Sequence, residues 1–158
     1  MSSAGLIIDA NLLLLLVIGL VEDGKHISKS NRLGNYSLED YKIVALYMGR
    51  FKNVFITPYI ATEVSNLIDL KGEVRARVFE AAKLLFSEFK QIETRIVDDM
   101  NSPYFHIFGL TDNSLIHLVS DYTVLTDDGP ISGILYSVNG DNVVELAVAR
   151  TIIQNSMR

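Results

Sequence analysis

An α/β domain with a mainly parallel sheet is the fold class that the sequence predicts. Short apolar runs alternate with stretches of helical length along most of the chain, and this alternation is typical of βαβ units. The 158 residues, 49% of them hydrophobic, are enough to bury the core of a single domain, which we assign to residues 1–158. The chain has no cysteine, which excludes disulfides, a thiol nucleophile and thiolate zinc sites.

The first predicted strand and helix form the most apolar part of the chain. Leu6–Ile8 is a short apolar run that ends at a carboxylate, Asp9. Residues 12–21 have helical length and are apolar nearly all round, with Asn11 as the expected N-cap. This run is about half as long as a bilayer-spanning helix, so we expect no membrane segment and a cytoplasmic protein. Residues 22–36 are polar and basic, and we expect an exposed loop there.

Two helix starts and a second strand are predicted in the next stretch. Ser37 and Asp40 resemble a capping box, with Asp in place of the usual Glu or Gln. Val54–Ile56 is the second strand. Thr57 is expected to cap a helix whose first residue is Pro58, a position where the missing N–H costs nothing.

The rest of the chain is predicted to add a long amphipathic helix and three further strands. Apolar residues recur at spacings of three and four over residues 73–89, which indicates a helix. A further helix is expected to begin at 110–112, with Thr111 as its cap. The strands are predicted at residues 95–97, 123–126 and 143–144. We assign no structure to a C-terminal tail at 146–158.

Negative charge is concentrated in the last part of the chain. The net formal charge is −5, but residues 1–95 contain 12 basic and 11 acidic side chains, whereas residues 96–158 contain 2 basic and 8 acidic ones. A solvated acidic surface is the usual explanation of such an asymmetry. The alternative is that several carboxylates converge on a cation, and the positions of the acids distinguish these possibilities.

The acids fall where a parallel sheet binds ligands, beyond the carboxyl ends of its strands. Asp9 follows the first strand directly, and Asp127 and Asp128 follow the strand at 123–126. Glu63 lies in the second turn of the helix after the second strand.

Each acid also has an ordinary explanation. Asp112 would interact favourably with the positive end of a helix dipole, and the acidic pair at 127–128 is of a kind that is common in turns. An isolated glutamate on a helix, such as Glu63, is most often solvated. Asp9 is harder to explain in this way, because an unpaired carboxylate in an apolar segment is costly to bury.

Taken together, the acids indicate a site for a hard divalent cation. Four or five carboxylates at one edge of a sheet repel one another, and Mg²⁺ or Mn²⁺ relieves that repulsion while accepting further oxygen ligands. A site of this kind activates water and stabilises a leaving oxyanion, so phosphodiester hydrolysis is the reaction that it suits.

Four segments of the chain, taken in order, resemble the PIN domains, a family of metal-dependent nucleases. They are LIIDAN at 6–11, TPYIATEV at 57–64, GLTDNSLI at 109–116 and VLTDD at 124–128. The resemblance implies a three-layer α/β/α sandwich around a mainly parallel sheet, with a carboxylate site for Mg²⁺ or Mn²⁺.

The resemblance also implies roles for individual residues. The catalytic metal ligands would be Asp9, Glu63, Asp112 and Asp128. In the family's last motif the acid stands two residues after a threonine, which selects Asp128, and the adjacent Asp127 would contribute to the metal site. Asn11 and Thr126 match polar positions that help to order the site.

Substrate and partners follow from the same resemblance. It implies an endoribonuclease of the kind that often forms homodimers and serves as the toxin of a toxin–antitoxin pair, inhibited by a small antitoxin protein. Lys25, Lys29 and Arg32 in the basic loop are suited to contact an RNA backbone, although a merely solvated loop is the more common explanation for such residues.

Two other classes of function compete with a nuclease. One is a noncatalytic module that binds RNA or protein through the same surface. The other is a receiver-like domain that accepts a phosphoryl group on Asp9 or Asp127. Such domains usually place a lysine near the acids, whereas Arg150 and Arg158 are the only basic residues from position 96 onward.

Overall fold

A computed structural model describes residues 3–158 and shows a three-layer α/β/α sandwich, as expected. The five strands are β1 (Leu6–Ile8), β2 (Val54–Ile56), β3 (Lys90–Gln91), β4 (Thr123–Thr126) and β5 (Val143–Glu145). They lie in the order β3-β2-β1-β4-β5, and every neighbouring pair is parallel. The first strand of the chain is therefore central in the sheet.

Helices flank this sheet. They are α1 (Ala10–Gly19), α2 (Leu38–Met48), α3 (Pro58–Leu67), α4 (Gly72–Glu88), α5 (Ile96–Asp99), α6 (Phe105–Leu118), α7 (Gly129–Asn139) and α8 (Leu146–Ser156). Short 3₁₀ turns lie at Val21–Gly24, Ile27–Lys29 and Gly140–Asn142.

Helix α1 is the centre of the core. Its residues 12–18 are all buried, since α2, α3 and α4 pack around it. A helix that is apolar on every side is stable in water only when it is enclosed in this way. Within residues 3–158, no helix combines the length and the apolar character needed to cross a bilayer.

The predicted helix starts at Ser37 and Thr57 are confirmed, but the caps expected for α1 and α6 are wrong. Thr111 lies inside α6, whose N-cap is Tyr104. Ser37 and Asp40 form the capping box of α2, with the Ser37 N–H donating to Asp40 Oδ2 at 2.9 Å. Thr57 caps α3. At α1, however, Asp9 is the N-cap in place of Asn11, because the helix begins immediately after β1 and Asp9 Oδ1 accepts the Ala10 N–H at 2.8 Å.

The third strand lies earlier than predicted. Residues 95–97 were expected to form it, but the strand is Lys90–Gln91, and Ile96–Asp99 is the short helix α5. The edge strand contains two polar, exposed residues, so no apolar run marks it in the sequence. The β-branched pair that suggested a strand, Ile96 and Val97, is instead 60% and 51% exposed.

Residues 22–36 pack against the body of the protein through part of their side chains. Ile27 and Leu33 are buried, and the buried Ser30 donates its hydroxyl hydrogen to Asp69 Oδ1 at 2.7 Å. The segment is thus anchored rather than an exposed loop throughout. Its basic side chains are nevertheless exposed, as expected: Lys25, Lys29 and Arg32.

The C-terminal residues form a packed helix. Leu146, Ala149 and Ile153 of α8 are buried at spacings of three and four, and α8 packs along α2. Arg150 forms an ion pair with Asp40, the partner of Ser37 in the capping box of α2. Residues 146–158, to which the sequence analysis assigned no structure, therefore contain a helix. The apolar spacing of this helix is visible in the sequence.

We expect Gly19→Ala to destabilise the protein by about 1–3 kcal/mol, the usual cost of overpacking a core. A Cβ at Gly19 would lie 2.1 Å from the Tyr41 ring, at the contact of α1 with α2. The matched control is Gly133→Ala in α7, where a Cβ meets no atom within 4 Å and the helix gains up to about 1 kcal/mol. Urea unfolding measures both changes. Equal stability of the two variants would contradict the packing described here.

Candidate metal centre

Three carboxylates from distant parts of the sequence meet at one edge of the sheet. Asp9, Asp112 and Asp128 each place an oxygen within 4.8 Å of an oxygen of the other two. β1 and β4 are parallel neighbours, with Ile8 opposite Leu125, so the residues that follow these strands emerge at the same edge. Helix α6 supplies Asp112 to the same place.

Asp9 is held by two hydrogen bonds, and a buried threonine links it to Asp128. Asp9 Oδ1 accepts the Ala10 N–H, and Asp9 Oδ2 accepts the Thr126 hydroxyl hydrogen at 2.8 Å. Thr126 Oγ1 in turn accepts the Asp128 N–H at 3.1 Å. Thr126 is fully buried. This geometry is consistent with the ordering role expected for Thr126, since one hydroxyl contacts both acidic residues.

Asp128 is both a helix cap and a member of the acidic group. Its Oδ1 accepts the Ile131 N–H at 3.3 Å, and its main-chain oxygen accepts the Ser132 hydroxyl hydrogen at 2.6 Å. Asp128 therefore has an ordinary structural role, as a helix cap rather than as part of a turn, and this role does not exclude a place in the site. A capping carboxylate has a fixed position relative to its helix, which keeps Asp128 close to the other acids.

Asp112 lies after an interruption in α6. Gly109 has a φ of +78°, so the helical backbone is broken there and resumes at Leu110, the predicted start. Such a φ strongly favours glycine. The next residue after Asp112, the buried Asn113, donates its amide hydrogen to the main-chain oxygen of Asp99. The position of Asp112 is thus set by the break at Gly109 and by this buried anchor.

Glu63 lies beside the three acids without being one of the group. It is half-buried on α3, and its charge raises the pKa of both Asp9 and Asp112. It also lines a cleft of about 360 Å³ between α3 and α6. A larger cleft of about 620 Å³ lies before β4 and β5, at the opposite edge of the sheet from the acids.

The remaining expected site residues lie outside the acidic group. Asp127 is exposed, and its Oδ2 accepts the hydroxyl hydrogen of Tyr36 at 3.0 Å. Nothing in the sequence identified this tyrosine, which lies 91 positions earlier. Asn11 is half-buried in α1, and within residues 3–158 its side chain makes no hydrogen bond to the acids. The exposed basic residues of the 22–36 segment form no ion pair with the acids either.

Two of the acids, Asp9 and Asp112, have raised pKa values. The pKa of Asp9 rises to about 6, mainly because the carboxylate is buried; the bonds from Thr126 and Ala10 oppose the rise, and the charges of Asp128 and Glu63 add to it. Burial also raises the pKa of Asp112 to about 7, with added repulsion from Asp9, Asp128 and Glu63.

No positive side chain balances this charge. Within the described part of the chain, no Lys, Arg or His forms an ion pair with the three acids. A concentration of negative charge with perturbed pKa values is characteristic of functional sites.

The donor set fits Mg²⁺ or Mn²⁺. All three ligands are carboxylate oxygens, the donors that hard divalent cations prefer. Around a six-coordinate ion with bonds of about 2.1 Å, ligand oxygens lie roughly 3–4 Å apart. The separations of up to 4.8 Å between Asp9, Asp112 and Asp128 are close to that range, so a small inward movement of the side chains suffices to bind one ion.

Comparison of the chain with protein-family models, with characterised proteins and with solved structures finds no match.

Proposed function

We propose that the protein is a divalent-metal-dependent endoribonuclease that hydrolyses RNA phosphodiester bonds. The observation that carries the proposal is the meeting of Asp9, Asp112 and Asp128 at one sheet edge, where, within residues 3–158, none of them forms an ion pair with a basic side chain. The ordered resemblance to PIN domains supports the same activity. The choice of RNA depends on that resemblance alone.

In this proposal each acid has a distinct task. Asp9, Asp112 and Asp128 hold Mg²⁺ or Mn²⁺, which supplies a Lewis acid for a phosphate oxygen and lowers the pKa of water. Thr126 fixes the positions of Asp9 and Asp128 relative to each other through its two hydrogen bonds. Glu63, next to these acids and open to the cleft, orients the attacking water and accepts its proton.

Incubation with mixed single-stranded RNA tests the activity. We expect fragments in Mg²⁺ or Mn²⁺ and none in EDTA, with recovery when metal is added back, because the acids repel one another and the anionic substrate without a cation. Mn²⁺ titration followed by electron paramagnetic resonance measures metal binding independently of turnover. Cleavage that persists in EDTA, or a protein that binds no Mn²⁺, would refute the proposal.

The same assay separates a nuclease from a noncatalytic binding module. A module would bind RNA, as measured by fluorescence anisotropy, but would produce no fragments in any metal.

The partners implied by the resemblance, a small antitoxin protein and a second copy of the chain, also remain proposals, as does a cytoplasmic location. Co-purification with the product of a neighbouring gene tests the first partner, and analytical ultracentrifugation tests the homodimer.

A further inference from the structure

A largely apolar cleft lies beside Glu63, next to the acidic site. It has a volume of about 360 Å³ and is lined by Tyr59, Thr62, Glu63, Asn66, Leu67, Leu110 and Thr111. Glu63 borders both the cleft and the acidic group, and Thr111 immediately precedes Asp112. If the phosphate of a substrate lies at the acids, the part of the substrate attached to that phosphate is therefore within reach of this cleft.

One wall of the cleft is an aromatic ring held in a fixed orientation. The Tyr59 hydroxyl donates to the Asp99 carboxylate at 2.6 Å, and Asp99 is only 7% exposed. The main-chain oxygen of Asp99 accepts the amide hydrogen of Asn113, the residue after Asp112. The buried Asp99 thus links the Tyr59 ring to α6, the helix that carries Asp112. An oriented aromatic ring next to a phosphate site is a surface on which a base stacks.

The cleft also offers polar groups for the edge of a base. Asn66 is exposed, and within residues 3–158 its side-chain amide makes no hydrogen bond. An amide presents two donor hydrogens and an acceptor oxygen, which match the donors and acceptors on a base edge. Thr62 and Thr111 add hydroxyl groups at the same cleft.

We propose that this cleft binds the nucleobase next to the scissile phosphate, stacked on Tyr59 with its edge toward Asn66. The inference rests on the proposed nuclease function and adds the recognition of one base beside the cut. It assigns the cleft to a single-stranded substrate, because a base held in a duplex is paired and stacked and cannot enter a recess.

Sequencing of the RNA ends produced in Mn²⁺ tests this recognition. We expect wild-type cut sites to show a preference of about fivefold for one base at a position next to the cut, the effect of one or two hydrogen bonds. Asn66→Ala should reduce this preference below about twofold. The matched control is Asn155→Ala on α8, an exposed asparagine outside the cleft, which should keep the preference.

A binding measurement separates failure of this inference from failure of the nuclease proposal. In ¹⁵N spectra recorded without metal, uncharged ribonucleosides should shift the amides of Asn66 and Leu67, and ribose should not. Base-dependent shifts without any RNA cleavage would refute the nuclease and retain the base site. RNA cleavage with no base preference, or with a preference that survives Asn66→Ala, would refute the base site and retain the nuclease.

Discussion

Asp112→Asn is expected to lower metal-dependent RNA cleavage on the order of a hundredfold or more, since a direct metal ligand contributes at least as much as the groups that support it. The substitution removes one of the three charges that face each other. Asparagine retains one carbonyl oxygen of similar shape, but it has no negative charge with which to hold a dication. Mn²⁺ affinity should fall together with turnover.

A nearby aspartate provides the control for this variant. Asp98→Asn changes the same chemical group on α5, where the side chain is 64% exposed and forms an ion pair with Arg95 at 3.9 Å. This variant should retain wild-type cleavage and Mn²⁺ affinity. Circular dichroism should show that both variants are folded. Full cleavage by folded Asp112→Asn would remove Asp112 from the proposed metal centre.

The metal-free protein is expected to lose stability as pH rises, because burial raises the pKa of Asp9 and of Asp112. The pKa of Asp9 rises from 3.8 to about 6 on folding. Protonation therefore favours the folded state below pH 4, and this contribution is lost as pH increases through 6. A shift of about two pKa units corresponds to about 3 kcal/mol over the whole range, of which about 1–2 kcal/mol is lost between pH 5 and pH 8.

Asp9→Asn isolates this effect, since it removes the titrating group and keeps a side chain of the same size. In EDTA, urea unfolding should show that the wild type loses about 1–2 kcal/mol more than the variant between pH 5 and pH 8. Mn²⁺ should stabilise the wild type more at pH 8 than at pH 5, because a protonated carboxyl must lose its proton to bind metal. Identical pH dependence of the unfolding free energy in the wild type and the variant would show that folding does not raise the pKa of Asp9.

The convergence of the acids was predictable because it depends on a general property of parallel sheets. Asp9 and Asp128 each follow a strand, and parallel strands end at the same edge. In the structure Asp112 lies together with them. Glu63 lies beside this group, and Asp127 lies outside it, because neighbouring residues at a strand end point in different directions and its carboxylate contacts Tyr36 instead.

Local patterns were predictable where the stabilising contacts are themselves local. The capping box at Ser37 and the cap at Thr57 involve residues three positions apart, so the sequence alone was enough to place both helix starts. The C-terminal helix shows the same periodicity, but its stability comes from packing on α2 and from the ion pair between Arg150 and Asp40, which lie 110 positions apart.

By itself the sequence determined the alternation of strands and helices, the buried first helix and the acids that follow β1 and β4, because these depend on local periodicity and on strand direction. Only the tertiary structure decided that β3 is a polar edge strand, that Asp9 rather than Asn11 caps α1, and that Tyr59 is joined to Asp99 beside the acids. These features arise from contacts between distant segments, whose energies depend on how the whole core packs.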